Sequence, residues 1–269
     1  EHYVRPGGDG AGSKRAVAQA NLPEELTQAA FVGGITTEFL REESDKSFLL
    51  FTNFFEPHPP YGGPLGDLYD PATLPVGADF MRTPEGHSLF NRCRSEFYLA
   101  GEHREDSVAG CDHHDLHGEP GWRALRANYM ANITLVDRQI GRIMAALEDS
   151  GHADDTIVVF TSDHGDMLGD HGLLEKRAFY DGSARVPLLM RVPWLSDGQT
   201  LVPGSVGQID LVPMLLDLAG ESIPGHLQGE SKAAVLAGDS TLADNDVFVQ
   251  WNGKGDRDLG TPTINEMIA

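Results

Sequence analysis

Two polar stretches in this chain each follow an apolar run, and both carry residue types able to hold a cation, move a proton or bind an anion. The longer is Thr161-Ser162-Asp163-His164-Gly165-Asp166-Met167-Leu168-Gly169-Asp170-His171-Gly172-Leu173-Leu174-Glu175-Lys176, which begins where Thr156-Ile157-Val158-Val159-Phe160 ends. Asp163 and His164 are adjacent, and Gly165 frees them from strand alternation. A carboxylate and an imidazole can therefore turn toward one divalent cation, as mixed oxygen and nitrogen ligands. Lys176, twelve residues beyond His164, supplies a point charge for an anionic group. The shorter stretch, Phe54-Phe55-Glu56-Pro57-His58-Pro59-Pro60-Tyr61, follows the apolar Phe48-Leu49-Leu50-Phe51. Prolines on both sides of His58 fix the backbone and preorganise an imidazole that can give or take a proton. Either piece alone is more often a solvated loop than a site. The ordered set of apolar run, Asp-His-Gly, Gly-Asp-His-Gly and Lys is what points to a site.

These residues need a scaffold, and the hydrophobic pattern supplies one. Residues 24–43 read as a helix, interrupted at Gly33-Gly34. Residues 47–52 read as a strand buried on both faces, followed by a long loop over 57–121 dense in Pro, Gly, Asp and His. Residues 122–150 are the clearest helix: Leu125, Tyr129, Ile133, Val136, Ile140, Ile143 and Leu147 recur at three- and four-residue spacing before Gly151. Strands follow at 156–160 and 186–192, a short helix at 209–218 closed by Gly220, and a further strand at 247–251. Strands alternating with helices predict an α/β class, a mostly parallel sheet with helices on both faces. In such sheets ligands collect at the carboxyl ends of strands, which is where both polar stretches lie.

The 269 residues carry 41 acidic against 20 basic side chains, a formal charge of −21. That field repels a phosphate backbone, so nucleic acid is not an expected partner. It also makes an anionic substrate awkward unless a cation or lysine reverses the sign locally. Two cysteines, Cys93 and Cys111, allow one bond or two thiols but no disulfide scaffold. No apolar run approaches the roughly 20 residues of a membrane span. The stretch Cys111-Asp112-His113-His114-Asp115-Leu116-His117, with His103 nearby, offers zinc donors, but its spacing fits no standard zinc framework. Asn132-Ile133-Thr134 is a formal glycosylation sequon inside the best helix. The termini resemble neither a natural start nor a natural end, so the chain is expected to be one partial domain over 1–269, with 1–21 and 253–269 as loops. Compartment, whether cytoplasmic or periplasmic and secreted, and oligomeric state stay open.

Taken together, Phe55-Glu56-Pro57-His58-Pro59-Pro60-Tyr61, the helix segment Val136-Asp137-Arg138-Gln139-Ile140-Gly141-Arg142-Ile143, the Thr161 to Lys176 stretch, Arg185-Val186-Pro187-Leu188-Leu189 and the Gln208 to Gly220 segment resemble the sulfatase family of the alkaline-phosphatase-like superfamily. The resemblance implies that fold, and it implies that Asp163 and His164 are the second pair of ligands to a divalent metal, calcium first, with manganese or zinc as alternatives. It implies that His58 contacts the substrate and assists the leaving oxygen, and that Lys176 binds sulfate oxygens. His171 lies near enough to contribute to substrate binding, with no firm role. Sulfatases convert the Cys or Ser of a Cys/Ser-x-Pro/Ala-Ser/x-Arg motif to formylglycine and use a pair of N-terminal aspartates. Neither element is present here: Cys93 precedes Arg94-Ser95-Glu96, and Cys111 precedes Asp112-His113-His114. The implied activity is hydrolysis of a small-molecule or glycan sulfate ester by a longer protein, of which this chain alone should be inactive. A phosphonate monoester or phosphodiester hydrolase of the same superfamily, or a non-catalytic metal-binding relative, is the alternative.

Overall fold

The long helix α3 (Glu119–Asp149) is the frame on which the site-bearing part of the chain is built. It begins three residues before the expected start, with Pro120 in the first turn, where a missing N–H breaks no bond. Trp122, Leu125, Leu135, Ala146 and Leu147 line its buried side. Asn132 is buried in the same helix, so its sequon is closed to a sugar. Helix α1 (Gln28–Arg41) is capped by Thr27, whose Oγ1 accepts the Ala30 N–H at 3.2 Å. It runs unbroken through Gly33 and Gly34 and packs on α3. A Cβ at Gly33 would stand 2.6 Å from Gln139 Oε1. The expected interruption is therefore a contact glycine: it lets two helices approach instead of breaking one.

The structure is a computed structural model describing residues 23–42, 46–59, 61–86, 88–100, 116–195 and 198–250. The described residues of Glu1–His152 and Ser162–Val186 form one compact unit. Its core gathers Tyr61, Tyr98, Leu116, Trp122, Leu125, Leu168 and Leu174. Within the stretch expected to be all loop lies α2 (Leu89–Leu99), where Ser88 Oγ accepts the Asn91 N–H at 3.3 Å. Phe90, Arg94 and Tyr98, four residues apart, form its buried stripe. A one-turn helix, α4 (Asp181–Ala184), follows the Thr161 to Lys176 stretch.

Residues Ala153–Thr161 and the described part of Pro187–Asn252 form the other unit. It holds β1 (Val158–Thr161) and β2 (Leu188–Arg191), paired antiparallel with Val158 opposite Arg191 and Thr161 opposite Leu188. Helix α5 (Leu211–Leu218) ends at Gly220 as the pattern predicts, and α6 (Ala233–Leu236) follows. This antiparallel pair is the one sheet among the described residues, a partial sheet consistent with a partial domain of the expected fold. Residues 47–52 run extended without a ladder partner among the described residues, and Leu49 and Phe51 are 93% and 88% exposed. Residues 247–250 form no strand among the described residues, and Trp251 lies outside them. A run of strand-forming residues becomes a strand when a neighbour supplies its ladder bonds, and composition alone does not provide one. Among the described residues no helix is long and apolar enough to cross a membrane.

Candidate active site

His58 sits in a turn tied to the start of α1. Glu56, two residues earlier, accepts the Ala29 N–H on Oε1 at 3.3 Å, and the His58 N–H donates to Phe55 O at 3.0 Å. The imidazole rests against the Phe55 ring, with centroids 4.6 Å apart. Its Nδ1 lies 2.7 Å from the Pro59 carbonyl. A carbonyl only accepts, so Nδ1 carries the proton and Nε2 keeps the exchangeable lone pair. That Nε2 is 3.3 Å from Nζ of Lys176, 118 residues away in the chain. The two residues singled out from separate motifs thus meet as a donor–acceptor pair.

The second loop begins with a tightly wound turn. Ser162 Oγ donates to His164 O at 2.9 Å, and the His164 N–H donates to Asp163 Oδ1 at 2.9 Å. His164 Nδ1 is 2.9 Å from Gly165 O, which fixes the proton on Nδ1. Nε2 then faces Asp163 Oδ2 at 3.3 Å. Two acceptors in that arrangement require a proton or a cation between them. The pair therefore fits as two ligands of a divalent ion, with the Asp163 carboxylate open to solvent. It is a partial set: among the described residues no third His, Cys, Asp or Glu joins a metal-binding group.

Further along the loop, Asp166 Oδ2 accepts the Tyr61 hydroxyl at 2.6 Å, while its Oδ1 accepts the N–H groups of Leu168 at 3.1 Å and Glu175 at 3.0 Å. Desolvation pushes the Asp166 carboxyl above the usual range, and these hydrogen bonds pull against it. Burial, then the Asp166 charge, pushes the Tyr129 phenol up to about 12. From α2, Arg94 reaches under the same loop and donates to Leu174 O at 3.0 Å and Lys176 O at 3.0 Å. Sequence reasoning left Tyr61 and Asp166 without roles and passed over Arg94. The only signal for Arg94 was a cation in register with Phe90 and Tyr98 on an amphipathic stripe.

His171 goes elsewhere than His58 and Lys176. Its ring stacks on Tyr180 at 4.0 Å, and its N–H donates to Asp79 O at 2.8 Å. With Asp79, Arg82, Thr83, Pro84 and Glu85 it lines an open recess of about 570 Å³. Cys93 is a free thiol. Cys111, His103, His113 and His114 lie outside the described residues.

The chain is similar to known proteins. Choline-sulfatase of Rhizobium meliloti is 35% identical over 188 residues, 68% of this chain and 33% of that protein. The multifunctional alkaline phosphatase superfamily protein PehA of Trinickia caryophylli is 29% identical over 232 residues, 81% of this chain and 43% of that protein. The crystal structure of phosphonate monoester hydrolase of Agrobacterium radiobacter superposes with a TM-score of 0.69 at 29% identity, covering 90% of this chain and 50% of that one. This chain thus spans half or less of the length of these relatives, and its fold is alkaline-phosphatase-like. The family profile described as Sulfatase matches residues 19–221, three quarters of the sequence and both candidate loops, so the chain belongs to the sulfatase family.

Proposed function

We propose that this chain is part of the catalytic domain of a sulfuric ester hydrolase, and that His58 and Lys176 act on the sulfate group and its leaving oxygen. The observation that carries the reading is the 3.3 Å approach of His58 Nε2 to Lys176 Nζ, from loops 118 residues apart. An ammonium beside an imidazole is suited to an anion whose ester bond must break. Lys176 neutralises charge on the sulfate oxygens as it grows. His58, its Nδ1 proton held by Pro59, enters this step as the imidazolium after Nε2 takes a proton from solvent, and it passes that Nε2 proton to the departing alcohol as the S–O bond breaks, returning to the neutral ring. Asp163 and His164 would hold part of a divalent cation's shell, calcium by preference and manganese or zinc otherwise, and that ion would polarise the sulfate oxygens. A cation and a lysine here make a locally positive pocket on a protein of formal charge −21. The nucleophile in this reading is a formylglycine, and its motif is not in these 269 residues.

A second reading keeps the same residues and changes the ester. Likeness to a phosphonate monoester hydrolase and to a multifunctional superfamily member favours phosphonate or phosphate esters as its substrates. One experiment separates these two readings from a non-catalytic relative. In the full-length protein, turnover of 4-nitrophenyl sulfate is expected to exceed that of 4-nitrophenyl phenylphosphonate. Lys176→Ala and His58→Ala should each lower kcat/KM by about 10²–10⁴-fold. Across aryl sulfates His58→Ala should slow poor leaving groups most, and an equal loss for all would remove its acid role. A reversed preference would move the assignment to phosphonates, and no turnover of either would leave a metal- or anion-binding relative.

A further inference from the structure

Lys176 is flanked by backbone that an L-residue adopts only under constraint. Glu175 before it and Arg177 after it have φ of 59° and 72°, and earlier in the same loop Leu168 and His171 have φ of 45° and 55°. Such a conformation persists only where its surroundings impose it. Two side chains from outside the Lys176 turn do the imposing. Asp166 gathers the inward N–H groups of Leu168 and Glu175 on one oxygen and the Tyr61 hydroxyl on the other. Tyr61 is fully buried and lies three residues beyond His58, so this carboxylate ties the His58 turn to the Lys176 turn. Arg94 takes the opposite polarity. Its guanidinium donates to the carbonyls of Leu174 and Lys176, and more weakly to Arg177 O at 3.5 Å.

Arg94 is 1% exposed, and its guanidinium meets backbone carbonyls and the rings of Phe90 and Tyr98, 5.4 and 5.8 Å from Cζ. Among the described residues its Nε has no hydrogen-bond partner. A cation buried this way is a poor device for stability alone, since a well-packed apolar side chain of similar volume often does as well or better. What only a planar fork provides is two carbonyls fixed relative to one another, here on either side of Glu175.

We propose that Arg94 and Asp166 are positioning residues for Lys176: they clamp the loop's carbonyls and amides so that the ammonium stands against His58. The clamp rests on the assignment of Lys176 to the site, and a double-mutant cycle in the full-length protein separates the two. With 4-nitrophenyl sulfate as probe, Arg94→Met and Asp166→Asn should each lower kcat/KM by about 10–100-fold, the scale of an ångström's misplacement. Made in a Lys176→Ala background, the same changes should cost less than about 3-fold, because the group they position is gone. A role confined to stability would cost the same in both backgrounds, and that additivity overturns the clamp while leaving Lys176 in place. Full activity of Lys176→Ala itself would overturn the site assignment and the clamp with it. Should Arg94→Met fail to fold, Tyr61→Phe, which removes one oxygen from the tie between the turns, runs the same cycle. A loss of at least about 5-fold that vanishes without Lys176 is expected there; silence or additivity overturns the proposal.

Discussion

Residues 47–52 and residues 166–177 belong to one compact unit and invert the usual relation between hydropathy and burial. The first is Ser-Phe-Leu-Leu-Phe-Thr, yet Leu49 and Phe51 stand almost fully in solvent. Its other face is partly covered: Phe48 packs edge-on against Phe39 at 5.5 Å, and Thr52 Oγ1 lies 3.2 Å from Thr36 Oγ1. The second alternates apolar with polar and glycine residues, including Asp166, Asp170, His171, Glu175 and Lys176, yet Met167, Leu173 and Leu174 are inaccessible and Leu168 nearly so. The difference lies in the backbone. In the loop, Met167 N–H reaches Glu175 O at 2.9 Å and Gly169 N–H reaches Leu173 O at 2.8 Å, and Asp166 and Arg94 take up further amides and carbonyls. A segment whose polar backbone groups are satisfied can be buried whatever its composition. An apolar segment without ladder partners stays at the surface with them.

The contrast breaks most readily at Leu174. It is fully buried in the cluster with Tyr61, Tyr98 and Trp122. Leu174→Ala should therefore destabilise the chain by about 2–5 kcal/mol, the range for a large apolar side chain removed from a packed core. Urea unfolding measures this directly. A loss under 1 kcal/mol would mean that the loop collapses around the gap, and that its burial reflects hydrogen bonding without packing.

A smaller effect tests the loop's buried charge. Tyr129 lies 6.0 Å, ring to ring, from Tyr61, the donor to Asp166. Burial first, and the Asp166 carboxylate second, lift its phenol to about 12 from the ordinary 10. The folded state therefore holds this proton to higher pH than the unfolded state does. Its contribution to stability is complete below pH 10 and is lost as pH rises through about 12. For a partly screened ring the loss is on the order of 1–2 kcal/mol. Tyr129→Phe should flatten the fall in unfolding free energy between pH 10 and 12. An unchanged slope would assign the alkaline loss to other groups.

Much of the site was legible because motif chemistry is local. The spacing from Asp163 to Lys176 and the prolines around His58 singled out residues that the fold brings together in two pairs. Helices with a full apolar stripe, α3 and α5, were read within a few residues. Other features depend on what lies far away in the chain. Gly33 reads as a breaker until Gln139 is seen against it. Helix α2 hides in a polar stretch because its start depends on one Ser88 cap and its stripe includes an arginine. Arg94 was invisible as a site-shaping residue because its partners are main-chain carbonyls about 80 positions on, and a carbonyl has no letter in the sequence. His171 was grouped with Lys176 by proximity in the motif, but its positive φ and its stack on Tyr180 turn it to a different recess.

The exposed segment provides the smallest expected effect. Phe48 and Leu50 are each 37% exposed, against 88% and 93% for Phe51 and Leu49, so side chains alternate between a packed and a wet face. Replacing a residue on the wet face removes almost no buried area. Leu49→Ser with Phe51→Ser should change the unfolding free energy of this chain by less than about 0.5 kcal/mol. Removing two exposed apolar side chains from this segment should also raise the concentration at which the chain stays monomeric, as sedimentation would report. The same pair of changes on the partly covered face, Phe48→Ser with Leu50→Ser, should cost several times more, because Phe48 loses its contact with Phe39. Equal costs on the two faces would mean that Leu49 and Phe51 are also packed in solution, and would remove the contrast with the buried loop.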